Sequence, residues 1–297
     1  MKIRMCSSGL HLFNRQTGQN ILLDEFRLPS SYWASAPRHV SIALTNLCDL
    51  RCCHCFVSKT PAELDFKQVV SWLHELDNHG SLGVGFGGGE PTMYPRFAEL
   101  CKYVTQKTSL AVSFTTHGHH LTGELASALD GYVHFIRVSV DGVDDTYEEI
   151  RGRSFHMLCK RLRTIKQLAP YGINIIVNSK TILELDKIIN IGLEFNASEI
   201  LLIPEQPHQG HKGIDRSTYS AMRRWVNNYR GEIPLLVSEN GACQLPICNP
   251  FSKEPSLLAY AHIDAFGMLK RSSFDSYGIA INNGSVINAI KDLMEEW

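Results

Sequence analysis

Four cysteines lie within eight residues, and this loop restricts the chemistry of the chain more than any other stretch. The sequence CDLRCCHC runs from Cys48 to Cys55 and follows an apolar run, 40–44, that predicts a buried strand. Cys48, Cys52 and Cys55 have the spacing C-x3-C-x2-C. Because cysteine thiolates are the usual ligands of iron–sulfur clusters, this spacing indicates a loop that wraps one face of a cuboidal cluster and leaves one iron open for a small molecule.

A zinc-binding interaction module is the alternative for so many thiols in a reducing compartment. Structural zinc usually takes four ligands in two separated pairs, whereas these four thiols share one loop. Cys101 and Cys159, the next thiols along the chain, lie singly in helical patterns and are predicted core residues. Cys53 is predicted to be a packed small residue, since cysteine buries readily. The spacing therefore favours iron and sulfide over zinc.

A glycine-rich motif follows the next predicted strand. It reads Gly88-Gly89-Glu90-Pro91. Glycine lets a backbone approach a ligand closely, so a β-branched side chain at Gly89 is expected to fill space that the ligand needs. This motif and the cysteine spacing, with His54 where an aromatic ring is usual, together resemble the radical S-adenosylmethionine (SAM) superfamily.

The resemblance implies two cofactors: one [4Fe–4S] cluster on Cys48, Cys52 and Cys55, and SAM on the open iron. The glycine motif would bind the methionine end of SAM, with Glu90 and backbone carbonyls accepting hydrogen bonds from its amino group. An electron from a flavodoxin- or ferredoxin-like donor would cleave SAM. The resulting 5′-deoxyadenosyl radical would remove a hydrogen atom from the substrate, while the protein orients the reactants and excludes water.

Three more side chains are implied to contact SAM. Thr116 stands where many relatives carry a Thr-Asn-Gly sequence, from which His117 departs. Ser139 resembles a residue on the fourth strand that binds the SAM carboxylate or ribose. Asp141 could bond the ribose or fix the local turn. Arg151 could pair with a carboxylate or lie on the surface.

Three histidines, His117, His119 and His120, lie on one short predicted loop. A metal site is one interpretation, since imidazole is a common metal ligand. No carboxylate stands near them in the sequence, so we expect solvated loop or substrate-pocket residues instead.

From residue 38 onward, strand patterns alternate with amphipathic helical patterns. The predicted strands are 40–44, 82–86, 110–114, 135–140, 173–177 and 200–203. This alternation predicts an α/β fold with parallel strands and right-handed crossovers. Six such units over 38–230 resemble the partial (βα)6 TIM-like barrel of the radical SAM superfamily, in which chemistry gathers at the carboxyl ends of the strands.

The two ends of the chain are predicted to be small additions to this core. Residues 1–37 are expected to form a hairpin with Gly18 at its turn, serving either as a plug at the barrel bottom or as a substrate-recognition element. Residues 231–297 are expected to form a C-terminal α+β appendage. It resembles a degenerate SPASM or twitch domain, the module that holds auxiliary clusters in many relatives.

The C-terminal region is expected to hold no cluster of its own. Relatives would carry a cysteine near Arg271 or Ser272, and only Cys243 and Cys248 stand upstream. Because an auxiliary cluster generally needs four ligands, one cluster per chain is expected.

The composition of the chain argues against some classes of partner and indicates a cellular compartment. The formal net charge is -1, with 20% charged residues, which gives no electrostatic case for nucleic acid or an anionic membrane as a partner. No run is long enough to span a bilayer, and the N-terminus lacks the apolar core of a signal peptide. Irregularly spaced cysteines are typical of a reduced, cytoplasmic protein.

The substrate is open between two classes. A ribosomally made peptide is favoured by the SPASM-like tail and by an N-terminal hairpin that could pair with an extended chain. A small metabolite, such as a sugar or nucleoside, is favoured by the compact chain and the missing auxiliary ligands. The resemblance favours the peptide slightly.

Overall fold

The structure is a computed structural model. It describes residues 1–207, 212–245, 251, 254, 256–281 and 284–296. Within these ranges, no helix has the length and apolar character needed to cross a bilayer. Cys248, one of the two cysteines upstream of Arg271 that the sequence analysis named, lies outside the described residues.

The chain begins with a three-stranded antiparallel sheet. Its strands are β1 (Lys2–Cys6), β2 (Gly9–Phe13) and β3 (Asn20–Leu23). The hairpin of β2 and β3 was predicted, and Gly18 lies in its turn with φ +71°. Strand β1 was not predicted, because its central residue is an arginine that the fold buries.

This N-terminal sheet contacts the chain just before three strands of the barrel begin. Arg4 donates to the carbonyls of Ala36 at 2.8 Å and Gly80 at 2.9 Å, shortly before two barrel strands begin. Arg15 donates to the carbonyls of Thr108 at 2.8 Å and Leu110 at 3.0 Å, before a third. These contacts lie at the amino ends of the strands and favour the plug interpretation.

Six strand–helix units follow and form the predicted partial barrel. The strands are β4 (His39–Thr45), β5 (Gly83–Gly88), β6 (Ala111–Thr116), β7 (Phe135–Ser139), β8 (Tyr171–Val177) and β9 (Glu199–Pro204). The helices are α1 (Phe66–Asn78), α2 (Phe97–Lys107), α3 (Gly123–Leu129), α4 (Asp144–Arg151), α5 (Phe155–Leu168), α6 (Leu185–Glu194) and α7 (Arg216–Asn228). Each strand pairs in parallel with the next, which confirms the α/β fold.

Helix α4 is the one barrel helix that the sequence analysis missed. It is short and acidic at its start, and only Tyr147 and Ile150 are buried. Two apolar positions in eight residues are too few for a clear helical period. Gly152, left-handed at φ +65°, ends the helix directly after Arg151.

Strand alternation separates the core from the cavity. Val40, Ile42 and Leu44 of β4 are fully buried in the hydrophobic core that also contains the inward face of α1. Ser41 and Ala43, which point the other way, line the interior cavity. The core therefore lies between sheet and helices, and the barrel interior stays open for ligands.

The C-terminal region extends the same sheet at both edges. Its elements are β10 (Leu235–Val237), α8 (Ser256–Ala259), β11 (Tyr260–Ile263), β12 (Met268–Lys270), β13 (Ile279–Ala280) and α9 (Val286–Glu295). Strand β10 pairs in parallel with β9, and β11 pairs in parallel with β4. Strands β11 and β12 form an antiparallel hairpin, and the described strands of the C-terminal region all belong to one ten-stranded sheet with the barrel.

Candidate functional site

A cavity of about 720 Å³ opens at the carboxyl ends of the barrel strands. Most predicted site residues line it: Cys48, Cys52, Cys55, Gly88, Gly89, Glu90, Thr116, Ser139 and Asp141. Pro91 does not; it is buried at the start of the one-turn helix Pro91–Met93. The fold therefore brings residues from four separate strand ends into one site, as the barrel rule requires.

Each of the three predicted ligand thiols accepts one hydrogen bond from a different donor. The Leu50 backbone N–H lies 3.4 Å from the sulfur of Cys48. Arg151 Nη1 lies 3.6 Å from the sulfur of Cys52, and Lys59 Nζ lies 3.3 Å from the sulfur of Cys55. Donors of this kind stabilise the negative charge of thiolates that ligate a metal cluster.

Cys53 differs from its three neighbours. Its side chain is exposed, and no donor in the described part of the chain reaches its sulfur. Its sulfur is therefore not held for ligation. The exposure differs from the prediction of a packed small residue.

Burial opposes free thiolates in this loop. It raises the pKa of Cys48 to about 11, aided by the negative charges of Glu90 and Asp49. Burial also raises the pKa of Cys52, against the opposite effect of Arg151. Ionised Cys48 and Cys52 are thus expected only with a cation in place of their protons, which suits a loop that binds iron.

A mixed donor set also lies beside the loop. A sulfur of Cys48, an oxygen of Asp49 and a nitrogen of His117 lie within 4.8 Å of one another. Zinc accepts all three ligand types. Asp49 and His117 already bond each other, at 3.0 Å, so this set is satisfied without a metal ion.

Glu90 joins the glycine motif to strand β6. Its side chain is 1% exposed. One oxygen accepts from Thr116 Oγ1 at 2.8 Å, and the other accepts from the His117 backbone N–H at 3.0 Å. Thr116 Oγ1 also accepts from the Gly118 N–H at 2.9 Å. Both predicted SAM contacts are thus engaged with protein groups, and they fix the geometry of the strand ends.

The glycines of this motif have different neighbours. A Cβ on Gly88, which has φ +113°, would lie 2.2 Å from the Thr45 carbonyl oxygen, and one on Gly89 would lie 2.2 Å from that of Leu47. These two glycines therefore let β5 pack against the cysteine loop. A Cβ on Gly87 would meet nothing within 4 Å, although Gly87 lines the cavity. Gly87 is the glycine that leaves room for a ligand, and the sequence analysis did not single it out.

Asp141 is fully buried and contacts three residues from other parts of the fold. It is 0% exposed, and one oxygen accepts from the Ile176 N–H at 2.7 Å. The other bonds Arg151 and lies 3.1 Å from His54 Nε2. Burial alone would raise the pKa of Asp141, but Arg151 and His54 together hold it at about 2. Arg151 is therefore an ion-pair partner of Asp141, with its side chain 11% exposed, and its surface alternative is wrong.

The histidine loop also differs from expectation, because a carboxylate does lie beside it. Asp49 accepts from His117 at 3.0 Å and lies 3.1 Å from His120 Nε2. His119 Nε2 lies 2.9 Å from the Tyr147 hydroxyl. Sequence distance hid this carboxylate, which reaches the loop from the cysteine segment. The histidines tie that segment to β6 and α4.

The C-terminal region supplies one wall of the cavity, through residues that the sequence analysis did not single out. Tyr260 and His262 of β11 line the cavity beside β4, with His262 Nδ1 at 3.2 Å from the Ser41 hydroxyl. Lys270 and Asp264, which also line it, pair at 2.8 Å. The alternation of Tyr260 and His262 along one strand was the available signal.

Residues 42–187 match the Radical SAM superfamily. The mycofactocin maturase MftC of Mycobacterium tuberculosis is 31% identical over 172 residues, 55% of this chain and 44% of that protein. The AdoMet-dependent heme synthase of Methanosarcina barkeri is 27% identical over 210 residues, 67% of this chain and 60% of that one. The chain thus spans less than two thirds of either relative.

The solved structure of Streptococcus suis SuiB shares the fold, with a TM-score of 0.75 at 13% identity over 97% of this chain and 86% of SuiB. That likeness of fold extends over the C-terminal region as well as the barrel. Radical SAM domains use a [4Fe–4S] cluster and SAM, so both predicted cofactors are confirmed. The chain contains a radical SAM domain over residues 42–187.

Proposed function

We propose that this chain is a radical SAM enzyme that modifies a ribosomally made peptide, with one [4Fe–4S] cluster on Cys48, Cys52 and Cys55. The observation that carries the ligand assignment is the separate hydrogen-bond donor on each of these three sulfurs. When bound, the cluster and SAM together supply a 5′-deoxyadenosyl radical that removes a hydrogen atom from the substrate.

The surrounding residues divide into ligand-facing and positioning groups. Gly87 and Ser139 face the cavity and are assigned to SAM, with the backbone of Gly88 and Gly89. Glu90, Pro91, Thr116 and Asp141 are buried. In this proposal Glu90, Thr116 and Asp141 do not contact SAM. Their hydrogen bonds to other protein groups hold the cysteine loop and the strand ends in place. This changes the roles that the resemblance implies for Glu90, Thr116 and Asp141.

The electron donor is proposed to be a flavodoxin- or ferredoxin-like protein that docks on the outer side of the cysteine loop. Cys53 is exposed there, next to two of the ligands. Electron transfer needs a short path, and this side of the loop offers one without crossing the barrel.

The charges of the cavity favour a peptide over an anionic metabolite. Among the described residues that line it, the two permanently charged cations are already paired, Arg151 with Asp141 and Lys270 with Asp264. A phosphate or free carboxylate would therefore find no uncommitted cation there. An uncharged stretch of peptide requires none. The structural neighbour SuiB is known bound to its precursor peptide SuiA, which supports the same choice.

A small substrate is the second candidate, favoured by the sequence match to a heme synthase. Anaerobically reconstituted protein should be reduced in the presence of SAM, and 5′-deoxyadenosine formation measured without substrate, with short precursor peptides encoded beside this gene, and with small metabolites. The proposal predicts that a peptide raises the rate and changes mass. Stimulation by a small metabolite alone would favour the second candidate, and no 5′-deoxyadenosine under any condition would contradict both.

A further inference from the structure

The guanidinium of Arg151 bridges a predicted cluster ligand and a buried carboxylate. Nη1 lies 3.6 Å from the sulfur of Cys52, and Nη2 bonds Asp141. The Arg151 side chain is 11% exposed and that of Asp141 is 0% exposed. A positive charge is therefore held beside one sulfur with little water around it.

The surroundings fix this cation in place. Asp141 is itself anchored by the Ile176 N–H at 2.7 Å and by His54, 3.1 Å away. Helix α4 ends at Arg151, so the backbone from which the side chain extends is ordered. The guanidinium fork can reach sulfur and carboxylate together, which a lysine ammonium cannot do with the same geometry.

A second cation provides an internal comparison. Lys59 Nζ lies 3.3 Å from the sulfur of Cys55, a contact on an exposed part of the loop. Water screens charges at such positions, so this contact has far less electrostatic effect than a buried one. Two cations thus contact two sulfurs, but only Arg151 is largely shielded from water and anchored by a buried carboxylate.

Building on the proposed function, we propose that Arg151 raises the reduction potential of the cluster by donating to the Cys52 sulfur, with Asp141 as its positioning residue. One-electron reduction by the donor adds a negative charge to the cluster. A nearby N–H donor and positive charge stabilise that reduced form more than the oxidised one. Hydrogen bonds to cluster sulfurs and local charge are among the factors that set such potentials.

The test is an anaerobic redox titration of the reconstituted cluster, monitored by electron paramagnetic resonance, without SAM or substrate. Arg151→Gln should lower the midpoint potential by at least the equivalent of a tenfold change in the reduction equilibrium, about 59 mV for one electron. Lys59→Gln is the matched control and should shift it much less. Equal potentials in wild type and Arg151→Gln would overturn the inference, as would a larger shift in Lys59→Gln.

A second variant covers the case in which Arg151→Gln holds no cluster. Arg151→Lys keeps a positive charge for Asp141 but cannot contact the carboxylate and the Cys52 sulfur together. A lowered potential in it supports the inference, and an unchanged potential contradicts it. The two proposals can be contradicted independently. A wild-type protein that forms no cluster would contradict the proposed function. A normal wild-type cluster whose midpoint potential is unchanged in the variants would contradict only the role of Arg151.

Discussion

Gly89 touches the cysteine loop at Leu47: a Cβ on Gly89 would lie 2.2 Å from the Leu47 carbonyl oxygen. The Glu90 N–H donates to that same oxygen at 2.8 Å. The glycine motif and the segment that enters the cluster loop are thus in direct backbone contact. A side chain at Gly89 would push on this segment, which corrects the expectation that it would only fill ligand space.

Valine at Gly89 and valine at Gly87 should therefore have different effects. Gly89→Val should displace the loop before Cys48 and lower the iron content after reconstitution. Gly87→Val should retain iron but weaken SAM binding at least tenfold, about 1.4 kcal/mol, because its side chain would enter the open cavity. Iron analysis and titration calorimetry separate the two; unchanged SAM affinity in Gly87→Val would contradict the ligand-facing role of that residue.

Single cysteine substitutions test the ligand set. Cys48→Ala, Cys52→Ala and Cys55→Ala should each lose the visible absorption of the cluster and 5′-deoxyadenosine formation. Cys53→Ala is the control and should retain both, since its side chain is exposed. A zinc-loaded, colourless wild-type protein that loses its metal with His117→Gln would point instead to the mixed donor set of Cys48, Asp49 and His117.

Removing the Glu90 carboxylate should destabilise the fold. In Glu90→Ala, the buried Thr116 hydroxyl and the His117 N–H lose their acceptor. We expect a loss of about 2–4 kcal/mol in the free energy of unfolding, because unsatisfied buried donors are costly. Urea denaturation measures it, with exposed Glu124→Ala as a control that should change by less than about 0.5 kcal/mol. Equal free energies of unfolding for the two variants would contradict the structural role of Glu90.

A buried ion network should hold the N-terminal sheet to the C-terminal region. Glu254 accepts from Arg4 at 2.8 Å and from Arg38 at 2.7 Å, and its side chain is 1% exposed. Glu254→Ala leaves two cations without their carboxylate and should cost about 3–5 kcal/mol. The exposed pair of Lys180 and Glu149 is the comparison, and Glu149→Ala should cost less than about 1 kcal/mol. Similar urea midpoints for both variants would argue against the network.

The barrel was predictable because its strands are short apolar runs between turn residues, and its helices carry clear apolar periods. Strand β1 and helix α4 were not, since Arg4 interrupts one pattern and α4 buries only two residues. The parallel pairing of β11 with β4 joins Tyr260 to His39, and no local pattern identifies a partner so distant along the chain.

The site shows the same division between local and distant information. The cysteine spacing and the glycine motif lie in short stretches of sequence, and the structure brings them to one cavity. The partners of Asp141, Glu90 and Asp49 come from other strands and helices, so only the fold shows that these carboxylates are engaged. Arg151 could be placed near the site by resemblance, but not against the Cys52 sulfur.

Counting iron and sulfide after anaerobic reconstitution tests the central claim, a single cluster on Cys48, Cys52 and Cys55. The wild-type protein should hold about four irons per chain, and the triple alanine variant close to none. Cys243 is exposed, and Arg271 and Ser272 stand where a relative would have a cysteine, so a second cluster is not expected. About eight irons in the wild type, with about four persisting in the triple variant, would contradict the account.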